Sequence, residues 1–284
     1  MVAVIDIGSN SVRLYLGRGK AVNAKELNTT QLSEGLALFG RLQEKAMART
    51  ADAVAGFFDE AIASGADKVY VFGTEAMRNP GGKTLKKTIE SRIPVVVDII
   101  SGETEAKIGY IGCTGGKGSN AVIDIGGASV ELTSGKSGVI EYAKSLPLGV
   151  VRVRDAVGGN RADIEKFYKS KITAFDKVCA DVLYAIGGTA TTVASMLLGQ
   201  KTYDANAVHG YVVTRGALEN LIDRIFACDN LTESFPTLGA KRAVVIGHGA
   251  ILLSLMQDYL GFGSLTVSEH DNIEGYLMLK GERI

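Results

Sequence analysis

Residues 4–14 read VIDIGSNSVRL and residues 122–132 read VIDIGGASVEL, a repeat at an offset of 118 with eight of eleven positions identical. A chain that carries one unit twice is constrained to build two related substructures. Each copy is an apolar run, a Gly-containing turn and a segment in which polar and apolar residues alternate. That is the pattern of a buried strand turning into a half-buried one. Gly8 in the first copy, and Gly126 with Gly127 in the second, let the backbone turn with no Cβ in the way.

The repeat also keeps chemistry that packing alone does not need. Asp6 and Asp124 lie inside the apolar runs, where a carboxylate is costly unless it meets a metal, a partner or a ligand. The turns offer backbone N–H groups, which suits a phosphate. Three positions differ: Ser9 and Asn10 stand against Gly127 and Ala128, and Arg13 stands against Glu131. Ser11 and Arg13 share a strand face, as do Ser129 and Glu131. If the hairpins oppose each other across a cleft, one brings a cation and the other an anion, as a phosphate with a metal ion would require. The plain alternative is a duplicated α/β domain whose hairpins are only structural. The retained Asp and Gly turn favour function.

The chain has 284 residues, enough for two domains of ordinary size, with 46% hydrophobic and 22% charged residues. Lys and Arg together equal Asp and Glu, 31 each, which argues against a general nucleic-acid or membrane-surface binder. Cys113, Cys179 and Cys228 are widely spaced, odd in number and without a CxxC. They read as small buried hydrophobes in a reducing cytoplasm. The N-terminus enters a strand at once, without the pattern of a signal peptide. No run reads as long and apolar enough to span a membrane. The expected location is cytoplasmic.

Strand and helix patterns alternate in both halves, so the class is α/β with mixed sheets. Strands are expected at 2–7, 12–17, 68–72, 95–100, 181–186 and 264–268. Helices are expected at 43–64, 84–91, from 101, and at 161–178, 215–228, 240–260 and 271–281. Residues 34–40 and 145–149 read as loop and turn. Gly115–Ser119 is the natural linker, giving domains 1–118 and 119–284.

Other residues carry weaker signals. Glu103 and Glu105 lie in the first turn of a helix, where acidic residues complement the dipole. Glu105 also follows a strand end, where α/β active sites gather, so a general base and a dipole partner are both open for it. Gly187-Gly188-Thr189 joins a strand to a helix and could receive an anion. The bland reading is an ordinary turn with Thr189 as N-cap. Arg78 could reach a phosphate from the loop after a strand. Lys83, Lys86 and Lys87 read as a solvated helix face. His209, His248 and His270 have no zinc spacing and form no Ser/His/Asp arrangement. His248 reads as packing, and Glu269 with His270 as residues near the start of the last helix.

Six stretches together resemble the exopolyphosphatase/guanosine pentaphosphate phosphatase family (Ppx/GppA): AVIDIGSNSVRL (3–14), VFGTEAMRN (71–79), IISGETEAKIGYIG (99–112), AVIDIGGASVEL (121–132), SLPLGVVR (145–152) and AIGGTATTVA (185–194). The resemblance spans essentially the whole chain and is most specific up to residue 194. It implies two RNase H-like (actin-like ATPase) domains facing a central cleft, with the two hairpins as phosphate loops. It further implies removal of terminal phosphates from inorganic polyphosphate or guanosine pentaphosphate with magnesium. The family's catalytic Glu falls on Glu105.

Three positions depart from the family's pattern. Thr104 replaces the first Glu of Glu-Glu-Ala. Ala128 replaces a third glycine. Asn272-Ile273-Glu274-Gly275 replaces Leu-Arg-Glu-Gly. Longer members carry a C-terminal helical phosphohydrolase-like domain, which this sequence does not reach.

The resulting expectation is a magnesium-dependent phosphoanhydride hydrolase, other divalent cations being compatible with the same ligands. Asp124 and Glu131, with Asp6, would hold the metal. Ser9, Asn10, Ser11, Arg13, Arg78, Gly126, Gly127, Ser129, Gly187, Gly188 and Thr189 would cradle phosphates. Glu105 would deprotonate the attacking water, and Asp124 and Glu131 would complete the catalytic set. No nucleic acid or membrane partner is expected. With net charge zero and Ile273 at a basic position, short polyphosphates or guanosine pentaphosphate would be preferred, unless a homodimer builds a basic channel. The rivals are a non-catalytic sensor of guanosine tetra- or pentaphosphate and a small-molecule kinase on the same fold.

Overall fold

The computed structural model describes residues 1–17 and 25–282. The chain forms two compact units, residues 1–105 with 276–284 and residues 106–275.

In the first unit the repeat begins as β1 (Val2–Ile7) and β2 (Val12–Leu16), an antiparallel hairpin that sets Asp6 opposite Arg13. Then follow β3 (Lys25–Asn28), α1 (Leu36–Phe39), α2 (Glu44–Ala63), β4 (Lys68–Gly73), α3 (Gly82–Arg92), β5 (Val97–Ile99) and the start of α4 (Gly102–Thr114). The sheet order is β3-β2-β1-β4-β5, with β1, β4 and β5 parallel. Helix α2 lays Ala46, Ala51, Val54 and Ala61 into the core, joining Ile5, Ile7, Leu14 and Val71. Ile62, on the same helix, is 49% exposed.

The second unit repeats the scheme. It is built from β6 (Ser119–Ile125), β7 (Val130–Lys136), β8 (Val139–Leu146), α5 (Val150–Val157), α6 (Arg161–Lys169), β9 (Val182–Ile186), α7 (Gly187–Leu197), α8 (Ala205–Val208), β10 (Val212–Thr214), α9 (Arg215–Ala227), α10 (Leu231–Ser234), α11 (Ala240–Leu260), β11 (Ser264–Val267) and the start of α12 (Asn272–Leu279). The order is β10-β11-β9-β6-β7-β8. The antiparallel meander β6-β7-β8 matches β1-β2-β3, and β9 pairs parallel to β6 as β4 does to β1.

Several expectations need correction. The strands Lys25–Asn28, Val139–Leu146 and Val212–Thr214 were not foreseen, and all three are sheet edges. An edge strand faces water along one side and lacks the apolar run that marks a central one. The helix expected to reach Val178 stops at Lys169, and a short 3-10 turn over Ile172–Ala174 follows. Residues 34–40 contain the one-turn helix α1, and 150–157 form α5 despite four valines. Helix α11 has the length and apolar composition of a membrane span, contrary to expectation, but 72% of that window is buried as a core helix. Cys179 is exposed rather than buried, and the three cysteines are free thiols.

The compact units divide after Glu105 rather than at the Gly-rich stretch 115–119. Residues 276–282 belong with the first unit for a physical reason. The Tyr276 ring stacks on Phe72 with centroids 4.5 Å apart, and its hydroxyl donates to Asp98 at 3.0 Å.

Candidate active site

The sequence-derived residues fall into two groups. Asp6, Ser9, Asn10, Ser11, Arg13, Arg78 and Glu105 lie in the first unit. Asp124, Gly126, Gly127, Ser129, Glu131, Gly187, Gly188 and Thr189 lie in the second.

The turn of the first hairpin is closed by Gly8 N–H donating to Ser11 O at 3.0 Å. Its carbonyls are tied back. Gln31 N–H donates to Asn10 O at 2.8 Å and Ser33 N–H to Ser9 O at 2.9 Å, while Ser33 Oγ adds a bond to Ser9 O at 3.0 Å. In the second hairpin Gly126 N–H donates to Ser129 O at 3.0 Å. There the first turn of α5 takes the carbonyls: Val150 N–H to Gly126 O, Val151 N–H to Gly127 O, and Gly149 N–H to Ala128 O. The amides of Ser9, Asn10, Gly127 and Ala128 meet no acceptor among the described residues. Both turns thus present donors with their acceptors turned away, the polarity an anion needs. Helix α5 is the element that fixes the second turn, and nothing in the sequence pattern marks it.

Arg13 is engaged within its own hairpin. Its Nε donates to Asp6 Oδ2 at 2.9 Å and its Nη2 to the same oxygen at 2.5 Å. Asp6 is buried and serves as a charged anchor for the guanidinium.

Glu105 is also buried. Arg78 Nη1 donates to its Oε2 at 2.7 Å and to Ile100 O at 3.0 Å. Arg78, expected on a phosphate, therefore reaches the candidate base. Burial pushes the Glu105 carboxyl up to about 7, Arg78 opposes that rise, and Asp6 and Glu75 add to it. Glu75 was not foreseen; it lies in the 3-10 turn after β4, where Asn79 Nδ2 donates to its Oε1 at 3.2 Å. A carboxyl that titrates near neutrality suits a general base. Ser101 caps α4 by accepting from Thr104 N at 3.1 Å, so the cap survives without the family's Glu.

In the second unit Asp124 and Glu131 face each other directly on β6 and β7, so both carboxylates project from the same sheet face. Ser145, opposite Glu131 on β8, donates to Glu131 Oε1 at 2.6 Å. Asn272 Nδ2 donates to Asp124 Oδ2 at 3.2 Å. Gly187, with φ +78°, is where a Cβ would come within 2.5 Å of Asp124 Oδ1. The backbone therefore lies directly against the carboxylate. Thr189 is not an N-cap: α7 starts at Gly187, and Thr189 Oγ1 donates to Ile125 O at 2.8 Å, stitching α7 to the repeat. Arg242, also missed, lies against Gly188 through its Nη1 and donates to Thr192 Oγ1 at 2.9 Å.

Neither Asn272 nor Arg242 has a local signal, because each reaches the site from a distant helix. Ile273, which stands where the resembled family tends to have Arg, is fully buried. Two residues around it box the helix start, Asp271 Oδ1 accepting from Ile273 N and Glu274 Oε2 from Asp271 N.

The histidines stay outside this set. His248 Nε2 lies 2.8 Å from Gly158 O, a packing contact. His209 and His270 have ring centroids 4.7 Å apart, and Tyr203 OH bonds the buried Glu269 beside them. Among the described residues no group of three His, Cys, Asp or Glu side chains converges as a metal site.

The profile of the Ppx/GppA phosphatase family matches residues 19–280. Exopolyphosphatase 2 of Mycobacterium tuberculosis is 26% identical over 96% of this chain and 96% of its own. Guanosine-5'-triphosphate,3'-diphosphate pyrophosphatase of Aeromonas hydrophila is 30% identical over 94% of this chain and 57% of its own. Among solved structures, the Aquifex aeolicus member of the Ppx/GppA family superposes with a TM-score of 0.81 at 26% identity, covering 100% of this chain and 99% of that one. The exopolyphosphatase of Cytophaga hutchinsonii superposes at 0.87 and 21% identity, covering 99% of this chain and 98% of that one, a likeness of fold.

Proposed function

The chain belongs to the Ppx/GppA phosphatase family of hydrolases, and we propose that it releases terminal phosphate from short inorganic polyphosphates or from guanosine pentaphosphate with a divalent cation. Its two units are actin-like domains of that family. The observation that carries the reading is Glu105, a buried carboxyl held on Arg78 and titrating near 7.

In this reading Glu105 takes a proton from a water as the water oxygen attacks the terminal phosphorus. The phosphoanhydride bond breaks, and the electron pair leaves with the bridging oxygen on the shortened chain. Arg78 holds the Glu105 carboxylate in place and keeps part of it ionised at neutral pH. The free amides of each turn offer donors to phosphate oxygens, and in the first unit Arg13, aimed by Asp6, adds a cation. Protein groups here position and neutralise, as phosphoryl transfer requires.

The donor set of the second hairpin fits a hard divalent cation. Asp124 and Glu131 are two carboxylates on one face, and magnesium is commonly bound by one or two carboxylates, with waters and substrate phosphates completing its shell. When bound, such an ion supplies positive charge against the phosphate oxygens. Preference for short chains follows from a net charge of zero and from an apolar Ile273 in the core. A long polyanion needs a track of cations, and each exposed one is screened within about 8 Å at physiological salt.

The test is phosphate release from polyphosphates of defined length and from guanosine pentaphosphate, with and without magnesium, in the wild type and Glu105→Gln. Cation-dependent release in the wild type and its loss in the variant is the expected result. Equal release by both would remove Glu105 from the reaction. Loss of full-length polyphosphate without intermediate lengths would overturn the short-chain preference.

A further inference from the structure

The first unit has a second concave site that shares no residue with the candidate active site. It is a cavity of about 730 Å³, within the size range of small-molecule pockets. Lys83, Lys86 and Lys87 line one side of it from α3, and Lys280 lines it from the end of α12. The α3 lysines are spaced i, i+3 and i+4, so they share one helix face.

Two carboxylates also line the cavity, and both are occupied. Glu90 takes Lys86 at 3.1 Å and accepts from Val97 N at 2.9 Å. Asp98 takes Lys280 at 3.3 Å and the Tyr276 hydroxyl at 3.0 Å. Lys83 and Lys87 have no acidic partner among the described residues. The site therefore keeps two ammonium groups in excess. A solvated helix face would not need the rest of the lining, which is apolar: Val97, Ile99, Tyr70 and Val96, the last 78% exposed.

An apolar wall beside unpaired ammonium groups selects a ligand with a flat apolar body and several negative charges. We propose that this cavity is a nucleotide-binding site, with the phosphate tail held by Lys83 and Lys87 and the base against Val96 and Tyr70. Lysine is a common point-charge partner of phosphate. The alternative anion, bare polyphosphate, has no use for the exposed valine. The assignment concerns a second site and stands whether or not Glu105 is the base.

Photolabelling with 8-azido-ATP, followed by peptide mapping, tests it on the full chain. Label is expected on peptides containing Tyr70 or residues 93–99. Lys83→Glu/Lys87→Glu should lower that labelling at least about tenfold, and Val96→Asp should lower it too. Phosphate release measured without nucleotide should stay at the wild-type rate in both variants. Label confined to other peptides would overturn the site. Competition by tripolyphosphate equal to that by ATP, with Val96→Asp labelled like the wild type, would overturn the nucleotide assignment in favour of bare phosphate.

Discussion

The hairpin at Asp6 and the hairpin at Asp124 share a turn bond of 3.0 Å and the same cross-strand register, but differ in what stands opposite the Asp. In the first, Arg13 faces Asp6 and binds it, a pair that is neutral in itself. In the second, Glu131 faces Asp124, so two carboxylates share one sheet face. A single position of the repeat thus sets a cation against Asp6 and a second carboxylate against Asp124. The surroundings diverged to match. Residues 31–33 tie back the first turn, whereas α5 ties back the second. The candidate proton acceptor, Glu105, belongs with the first unit, beside the hairpin whose charge is already balanced.

The largest effect should come from separating proton transfer from charge neutralisation. Glu105→Gln is expected to lower turnover by about two to four orders of magnitude, the usual scale for a general base, with substrate affinity retained in equilibrium binding. The same variant should be more stable than the wild type. A carboxyl raised from 4.5 to about 7 in the folded state binds more protons folded than unfolded, so its contribution falls as pH rises between those values. Thermal melts at pH 5 and pH 8 should show the variant's advantage growing with pH.

Next come the hairpins themselves. Glu131→Gln and Asp124→Asn should each raise the magnesium concentration needed for half-maximal activity by about tenfold or more, on the scale of losing one charged ligand. Asp6→Asn should leave that concentration unchanged and weaken substrate binding by loosening Arg13. Equal magnesium responses in all three variants would mean that the hairpins do not divide the work.

A smaller, more diagnostic effect is expected at Arg78. Its guanidinium lowers the Glu105 carboxyl against burial, so Arg78→Ala should move the ascending limb of the pH–rate profile above about 7. On the acid side of the limb the rate should fall about tenfold for every pH unit the limb moves. A limb that stays in place would separate Arg78 from the base. The smallest effect is at the helix start, where neither hairpin is touched. Thr104→Glu completes the capping box with Ser101 and should add about 0.5 kcal/mol, roughly 1–2 °C in midpoint.

How much was legible in the sequence follows the same division. Central strands and long helices could be read, because burial on both sides leaves an apolar run and burial on one side leaves a period. Edge strands such as Lys25–Asn28 could not, because half their environment is water. Helix α5 was hidden by four valines that disfavour a helix in isolation, and its place over the Gly126 turn is set by tertiary contacts. At the site, the repeat exposed Asp6, Asp124, Arg13 and Glu131. What it could not show is which partner each would choose. Arg13 could turn to its neighbour or to a ligand, and only the fold brings Asn272 to Asp124 or Arg242 to Gly188. Arg78 was noticed for its reach, but its target, Glu105, is 27 residues away in sequence.

Tyr276 gives the first unit an unusual schedule of assembly. The ring that stacks on Phe72 and bonds Asp98 is synthesised only after every residue of the second unit has been made. Domains generally fold as units, the N-terminal one first. Here the first sheet can form early on the ribosome, but the surface over Phe72 stays uncovered until residue 276 has been made. Premature termination near residue 275 would therefore harm the part of the molecule made first. Its signature would be fast amide exchange in β4 and β5 while the second unit remains protected.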